Sequence, residues 1–370
     1  MPASAEIHVS DAPLPLFGHA DILDRMHAGL QQNRLHHGWI LAGDEGIGKF
    51  RLAQQIAAWI LSVSDDSSAG LFDGEAPASL NPSAVPVDGE EARLVFGNAH
   101  PDLLIIQPEE DEKNKSGLIK TEQIRKLPAF FAHHSARSKW RVAIIDNLDV
   151  VNRAGMNAML KTLEEPPSNC LLLLISSQVG GILPTIRSRC ITANLSPLSA
   201  METGAVLSKL WPDAGTDQLE ILAALGKGSP GRALQLAEAG VLGLFQASCS
   251  LLLDAKSKPA DLLNLAEKWA GGGVRNRPVR RAASYLFPEL LLLASLYRIG
   301  GAAADQNPLA RIDFIEQTAR ALASRLSADQ LACQYQEFIR AYQMNERLYL
   351  DFAPIMVKFF FDLHSQSGNR

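Results

Sequence analysis

Cysteine is scarce in this 370-residue sequence, and the four present, Cys170, Cys190, Cys249 and Cys333, stand far apart. No C-x-x-C pair can be written, which excludes a zinc knuckle and a thioredoxin-like redox site. Scattered cysteines fit a reducing compartment. Long uninterrupted apolar runs are missing too: none reaches the roughly 18 apolar residues needed to cross a bilayer. Met1 to Pro15 has no basic segment leading into an apolar core, so no secretory leader is expected. The expected location is therefore the cytoplasm, away from membranes. A surplus of positive charge is also absent. Lys and Arg number 35 against 40 Asp and Glu, a net charge of −5, which argues against a protein that coats nucleic acid along its whole surface. No fixed-period repeat is found. What remains is 47% apolar and 20% charged, an ordinary globular composition with length for two or three domains.

The N-terminal part alternates strand and helix. Trp39-Ile40-Leu41-Ala42 is a short apolar run, and Leu52, Ile56, Trp59 and Ile60 follow at helical spacing. Leu103–Ile106, Val142–Ile145 and Cys170–Ile175 are further strand candidates. Helices are expected over Ile119–Phe131 and Asn157–Glu165, the latter stopped by Pro166-Pro167. Wholly apolar strands separated by helices predict a doubly wound parallel sheet with helices on both faces. Residues 62–97 break the rhythm. Seven acids and no Lys or Arg lie between Asp65 and Glu91, so this stretch reads as an acidic, flexible insertion or a plain surface loop.

After Pro197 the pattern is helical only. Residues 198–242 read as a small helical domain and 243–370 as an all-α domain, with helices expected at Ile315–Leu326 and Leu331–Leu348. Gly271-Gly272-Gly273 marks a turn between helices.

Gly43-Asp44-Glu45-Gly46-Ile47-Gly48-Lys49 matches G-x-x-x-x-G-K between a strand and a helix. Glycines there let backbone N–H groups point at phosphate oxygens, and the lysine reaches the β and γ phosphates. Gly43, Gly46, Gly48 and Lys49 are the candidate nucleotide-binding residues. Yet Phe50 stands where a Ser or Thr should ligate Mg²⁺, and a phenyl ring cannot coordinate a hard cation. Asp146 closes the apolar strand 142–145 on the metal side, but the next residue is Asn147, whose amide cannot serve as a general base. The expectation is a degenerate pocket that binds ATP or ADP weakly or not at all and does not hydrolyse it. The rival is an active ATPase with substituted ligands.

Leu183-Pro-Thr-Ile-Arg-Ser-Arg-Cys190 follows the strand 170–175. An arginine placed there is either an ordinary surface or salt-bridged side chain or one that reaches the γ-phosphate of ATP bound by a neighbouring subunit. Between Lys120 and Arg141 lie six Lys or Arg, His133, His134 and one acid, Glu122. That local surplus suits a DNA backbone, a neighbouring subunit or a solvated face. No base-reading motif accompanies it, so any DNA contact would be independent of sequence. Cys170 and Cys190 read as small buried apolar residues. His36-His37 reads as packing before the strand, since no ligand set surrounds it.

Together the segments Leu35–Leu41, Gly43–Lys49, His100–Leu103, Arg141–Asp149, Asn157–Pro167, Thr185–Cys190 and Gly228–Leu234 resemble the delta-prime family of bacterial DNA polymerase III clamp loaders. The resemblance covers about residues 14–240. The Leu-Lys-Thr-Leu-Glu-Glu-Pro-Pro and Ser-Arg-Cys strings belong to the clamp-loader branch of AAA+ proteins. The resemblance implies an α/β AAA+ P-loop domain over 1–197, a helical lid over 198–242 and an all-α collar over 243–370. It implies a non-hydrolysing stator in a five-membered ring with gamma/tau and delta subunits, which loads the sliding clamp onto primed DNA. Arg189 would be the finger acting in trans on a gamma/tau site. Arg232 falls where AAA+ proteins carry a sensor arginine, and Ser177 near the end of the strand with the polar sensor. The chain would then be part of the polymerase holoenzyme without being itself a polymerase or ATPase. Alternatives are an active ATPase of gamma/tau or helicase-loader type and a free-standing P-loop enzyme. Many family members carry four zinc-binding cysteines just after the P-loop helix. Here that region is the cysteine-free insertion, so no zinc is expected.

Overall fold

The computed structural model describes residues 16–63, 89–108, 117–254, 257–271, 277–300, 303–348 and 350–365. Contacts divide the chain into two units, Asp11–Glu202 and Thr203–Arg370. The lid and collar expected over 198–242 and 243–370 fall almost wholly in the second.

The first unit is built on five strands, β1 Gly38–Ala42, β2 Leu103–Ile106, β3 Arg141–Ile145, β4 Cys170–Ser176 and β5 Ile191–Asn194. Their order is β2-β3-β4-β1-β5 and every pairing is parallel. All of β1 and β4 is buried, as a sheet covered on both faces requires. Side chains alternate between those faces. Trp39, Leu41, Val142, Ile144, Leu171, Leu173 and Ile175 pack with Ile22, Leu23 and Met26 of the helix Ala20–Gln31 and with the helix Lys49–Ser62. Ile40, Ala42, Ala143, Ile145, Leu172 and Leu174 pack with Ile124, Leu127, Met159 and Leu163 on the other side. The expected α/β class, a parallel sheet with helices on both faces, is what these residues adopt.

Local differences have local causes. Residues 64–88 of the expected insertion lie outside the described residues; its two margins are helical. Ser62 ends the helix Lys49–Ser62, and Glu90–Phe96 is a helix. Ala92 and Val95 are buried in the core shared with Lys49–Ser62, and the Arg51 guanidinium lies 3.8 Å from the Phe96 ring centroid. The flexible stretch over 62–97 is corrected accordingly. The helix expected over Ile119–Phe131 is two short ones, Thr121–Ile124 and Lys126–Ala132. That expected over Asn157–Glu165 becomes Arg153–Ala158 and Leu160–Glu164. The helix Ala20–Gln31 and strand β5 come in addition to the expected elements.

The second unit holds helices and no strand among its described residues. Helices Asp313–Arg325 and Ala328–Leu348 overlap the two expected ones. At its centre Phe287 contacts Phe245, Trp269, Phe338, Phe359 and Phe360 at centroid distances of 5.0–5.9 Å. Such edge-on aromatic pairs stabilise beyond the area they bury. The buried Trp269 Nε1–H donates to Ser248 Oγ at 2.9 Å, so the indole nitrogen is not orphaned there. The helix Arg277–Ile299 is long and apolar enough to cross a membrane, but half of its apolar window is buried in this core. A buried core helix passes the same length test.

Candidate functional site

Three chain segments meet at the carboxyl end of the sheet. The loop Gly43–Gly48 follows β1, Asp146 follows β3, and Ser177 follows β4, which lies between them. This is the edge where open α/β sheets bind ligands. Glycine is needed for different reasons along the loop. Gly48 has φ +97° with open space around it, so backbone conformation decides; a Cβ on Gly43 would come within 2.7 Å of the Leu195 carbonyl oxygen.

Lys49 opens the helix and is buried. Its ammonium donates to Gly43 O at 2.6 Å, Asp44 O at 2.7 Å and Ser177 Oγ at 2.9 Å. A buried ammonium needs such partners, and an ammonium has three protons to give. A phosphate oxygen therefore has to displace one of these acceptors. Burial pulls the Lys49 pKa down, opposed by Asp149, Glu45, Asp146 and Asp44. Burial raises the Asp146 carboxyl, opposed by Gln107 Nε2, which donates at 3.2 Å, and by Lys49.

Asn147 is engaged with its own backbone turn. Its side-chain oxygen accepts the Asp149 N–H at 2.9 Å and caps the 3-10 turn Leu148–Val150. Asp149 in turn ties β3 to β4: Ser176 Oγ and the Ser177 N–H both donate to its carboxylate, the latter at 2.6 Å. Sequence reasoning passes over Asp149, although it sits three residues beyond Asp146. Phe50 is half-buried against the apolar core beside the sheet. A phosphate at this loop would meet Lys49, while position 50 offers no oxygen to an accompanying Mg²⁺. Among the described residues, no group of three or more His, Cys, Asp or Glu is arranged to hold a metal ion.

Arg189 lies away from this cluster, at the surface. One terminal nitrogen donates to Thr185 O at 3.0 Å and Ser188 Oγ at 3.4 Å, and the other pairs with Glu164 Oε1 at 2.9 Å. Glu164 ends the helix Leu160–Glu164, within the Leu-Glu-Glu-Pro-Pro string; it too escapes sequence reasoning. The pair is 36% and 48% exposed, so it contributes about 0.2–1 kcal/mol. Arg232 belongs to the second unit. Ser229 Oγ caps its helix at the Arg232 N–H, and its guanidinium lies 4.7 Å from the Tyr285 ring centroid. That geometry is a cation–π stack.

The basic stretch is partly consumed within the fold. Arg137 pairs with Glu90 and Glu91, while Arg141 donates to His134 O and stacks on Phe130. Arg125 and Lys126 are exposed. His37 Nε2 lies 3.0 Å from Leu163 O, and His36 stacks on His37 at 4.4 Å, so this pair joins β1 to the neighbouring helix. Burial, and then His36, lower the His37 pKa. Cys170 is buried and Cys190 half-buried, and burial pushes their thiols up to about 11 and about 12, which leaves them unreactive near neutrality.

Residues 18–199 match the family model described as DNA polymerase III, delta subunit. The DNA polymerase III subunit delta' of Pseudomonas aeruginosa is 33% identical over 207 residues, 55% of this chain and 57% of that protein. The DNA polymerase III subunit gamma of Buchnera aphidicola subsp. Schizaphis graminum is 26% identical over 227 residues, 60% of this chain and 56% of that protein. The chain thus spans little more than half the length of these relatives. A solved structure of a gamma subunit-related protein from Thermotoga maritima aligns over 93% of this chain and 99% of its own, with TM-score 0.41 and 15% identity.

Proposed function

Because residues 18–199 match the family model described as DNA polymerase III, delta subunit, and the chain is similar to DNA polymerase III delta', gamma and tau subunits, we propose that it is the non-hydrolysing stator of a bacterial clamp loader. In this reading it acts in the cytoplasm, joins gamma/tau and delta subunits in a ring, and helps place the sliding clamp on primed DNA. Arg189 is its finger, presented in trans to ATP held by an adjacent gamma/tau subunit.

The observation that carries the reading is a division of labour within one domain. The groups that would run hydrolysis in this chain are absent or occupied: Phe50 packs against the core, and Asn147 spends its amide oxygen on the Asp149 N–H. The arginine that would act on a neighbour is held at the surface by Thr185, Ser188 and Glu164. The second reading, an active ATPase of gamma/tau type, draws on the complete glycine loop and on Lys49. Turnover separates the two. The isolated chain is expected to show no Mg²⁺-dependent ATP hydrolysis above background. Robust hydrolysis that disappears in Lys49→Ala would exclude the stator. Assembly with gamma/tau and delta subunits, followed by clamp loading on primed DNA, tests the partners.

A further inference from the structure

We propose that Glu164 is a positioning residue for Arg189: it holds the guanidinium in the orientation in which it meets the neighbour's phosphate. The inference rests on the trans role proposed above and adds a second residue to it. It starts from a contact between distant parts of the domain. Glu164 is the last residue of the helix Leu160–Glu164, and Arg189 follows the helix Pro184–Arg187. Their side chains meet at 2.9 Å.

A guanidinium has five N–H donors in a rigid plane. Thr185 O and Ser188 Oγ take one terminal nitrogen, and Glu164 takes the other. Three acceptors therefore fix the plane in space. Both terminal nitrogens are anchored from within the chain, while among the described residues Nε–H has no assigned acceptor. That edge of the fork is what an incoming phosphate oxygen would meet, and a planar donor set suits the task.

Two opposing effects of Glu164 have to be weighed. Its charge partly cancels that of Arg189, which weakens attraction to phosphate. Its contact also removes rotamer freedom that a long arginine would otherwise lose on meeting its target. The first effect is screened, because both groups are about a third to a half exposed. The second is not screened, and arginine is among the side chains with most rotamer entropy to lose. Ordering outweighs charge cancellation, so Glu164 promotes the trans reaction.

The test uses the complex reconstituted with gamma/tau, delta, clamp and primed DNA, and reads ATP hydrolysis at the site facing this subunit. Glu164→Ala should lower kcat there about 2- to 5-fold and leave KM unchanged, the range that an exposed ion pair supports. Glu164→Gln keeps the acceptor oxygen without the charge and should fall between Ala and wild type. Raising ionic strength from about 0.05 to about 0.3 M shortens the screening length from about 14 to about 6 Å, and it should narrow the gap between wild type and Glu164→Gln. A rise in kcat for Glu164→Ala, or no change, overturns the inference. So does a loss equal in Ala and Gln variants at every salt concentration. Arg189→Ala runs alongside: if it too leaves kcat unchanged, the trans role itself fails, whereas a low Arg189→Ala rate beside an unaltered Glu164→Ala rate removes Glu164 alone.

Discussion

Arg189→Ala in the reconstituted loader is expected to lower ATP hydrolysis at the adjacent gamma/tau site by ~10³-fold or more, as loss of a trans arginine does in P-loop systems. Steady-state turnover of the whole ring should fall less, because other sites keep their own arginines. Single-turnover hydrolysis resolves the affected site. Assembly should survive. The side chain is partly exposed, and its pair with Glu164 contributes only about 0.2–1 kcal/mol to the fold. Arg189→Lys should recover little, since an ammonium is a point charge without the planar fork. A wild-type single-turnover rate in Arg189→Ala would remove the finger assignment.

Asp102→Asn is expected to cost about 2–4 kcal/mol of stability, the largest effect outside the proposed site. Asp102 is fully buried, and its carboxylate accepts N–H bonds from Ala136, Arg137 and Ser138 at 2.7, 2.8 and 3.0 Å. Arg141 lies 3.6 Å away. An amide nitrogen in place of either oxygen meets at least one of those N–H groups donor to donor. At about 2–4 °C per kcal/mol, the melting temperature should drop by about 5–15 °C. The pH dependence has a definite sign. Burial alone would raise this carboxyl, but the three N–H groups and Arg141 outweigh it and hold the pKa below the ordinary carboxylate value. A depressed folded-state pKa stabilises above the unfolded value of about 3.9 and ceases to do so as pH falls through the folded value. The gap between wild type and Asp102→Asn should thus stay constant from pH 7 to about 5 and close in stronger acid. Equal urea midpoints at pH 7 would contradict this.

Much of the sheet can be read from residues alone, because β1, β2, β3 and β4 are runs of apolar residues. The edge strand β5 cannot. In Ile191-Thr192-Ala193-Asn194 only Ala193 is buried, so no run announces it. The helix Glu90–Phe96 is hidden by the acidic, Gly- and Pro-rich composition before it, and it depends on burial of just Ala92 and Val95. At the site, Phe50 and Asn147 are legible because each replaces a group of required chemistry at a required position. The partners of Lys49 and Arg189 are not. Lys49 and Ser177 are 128 positions apart, and Glu164 meets Arg189 only after two helices have been placed. No periodicity encodes such meetings; the folded sheet creates them.

The shared apolar core of the second unit has a mechanical consequence. Leu222, Leu225, Ala233 and Leu236 of the expected lid sit in one cluster with Phe287, Leu322 and Phe360 of the expected collar. The helix Pro230–Glu238 packs on Arg277–Ile299, and Thr216–Gly226 packs on the turn Pro308–Arg311. A hinge near residue 242 would have to tear this core open. The described helices on either side of residue 242 therefore share one core, and Arg232, stacked on Tyr285, is fastened to the helix Arg277–Ile299 rather than to a separately hinged lid.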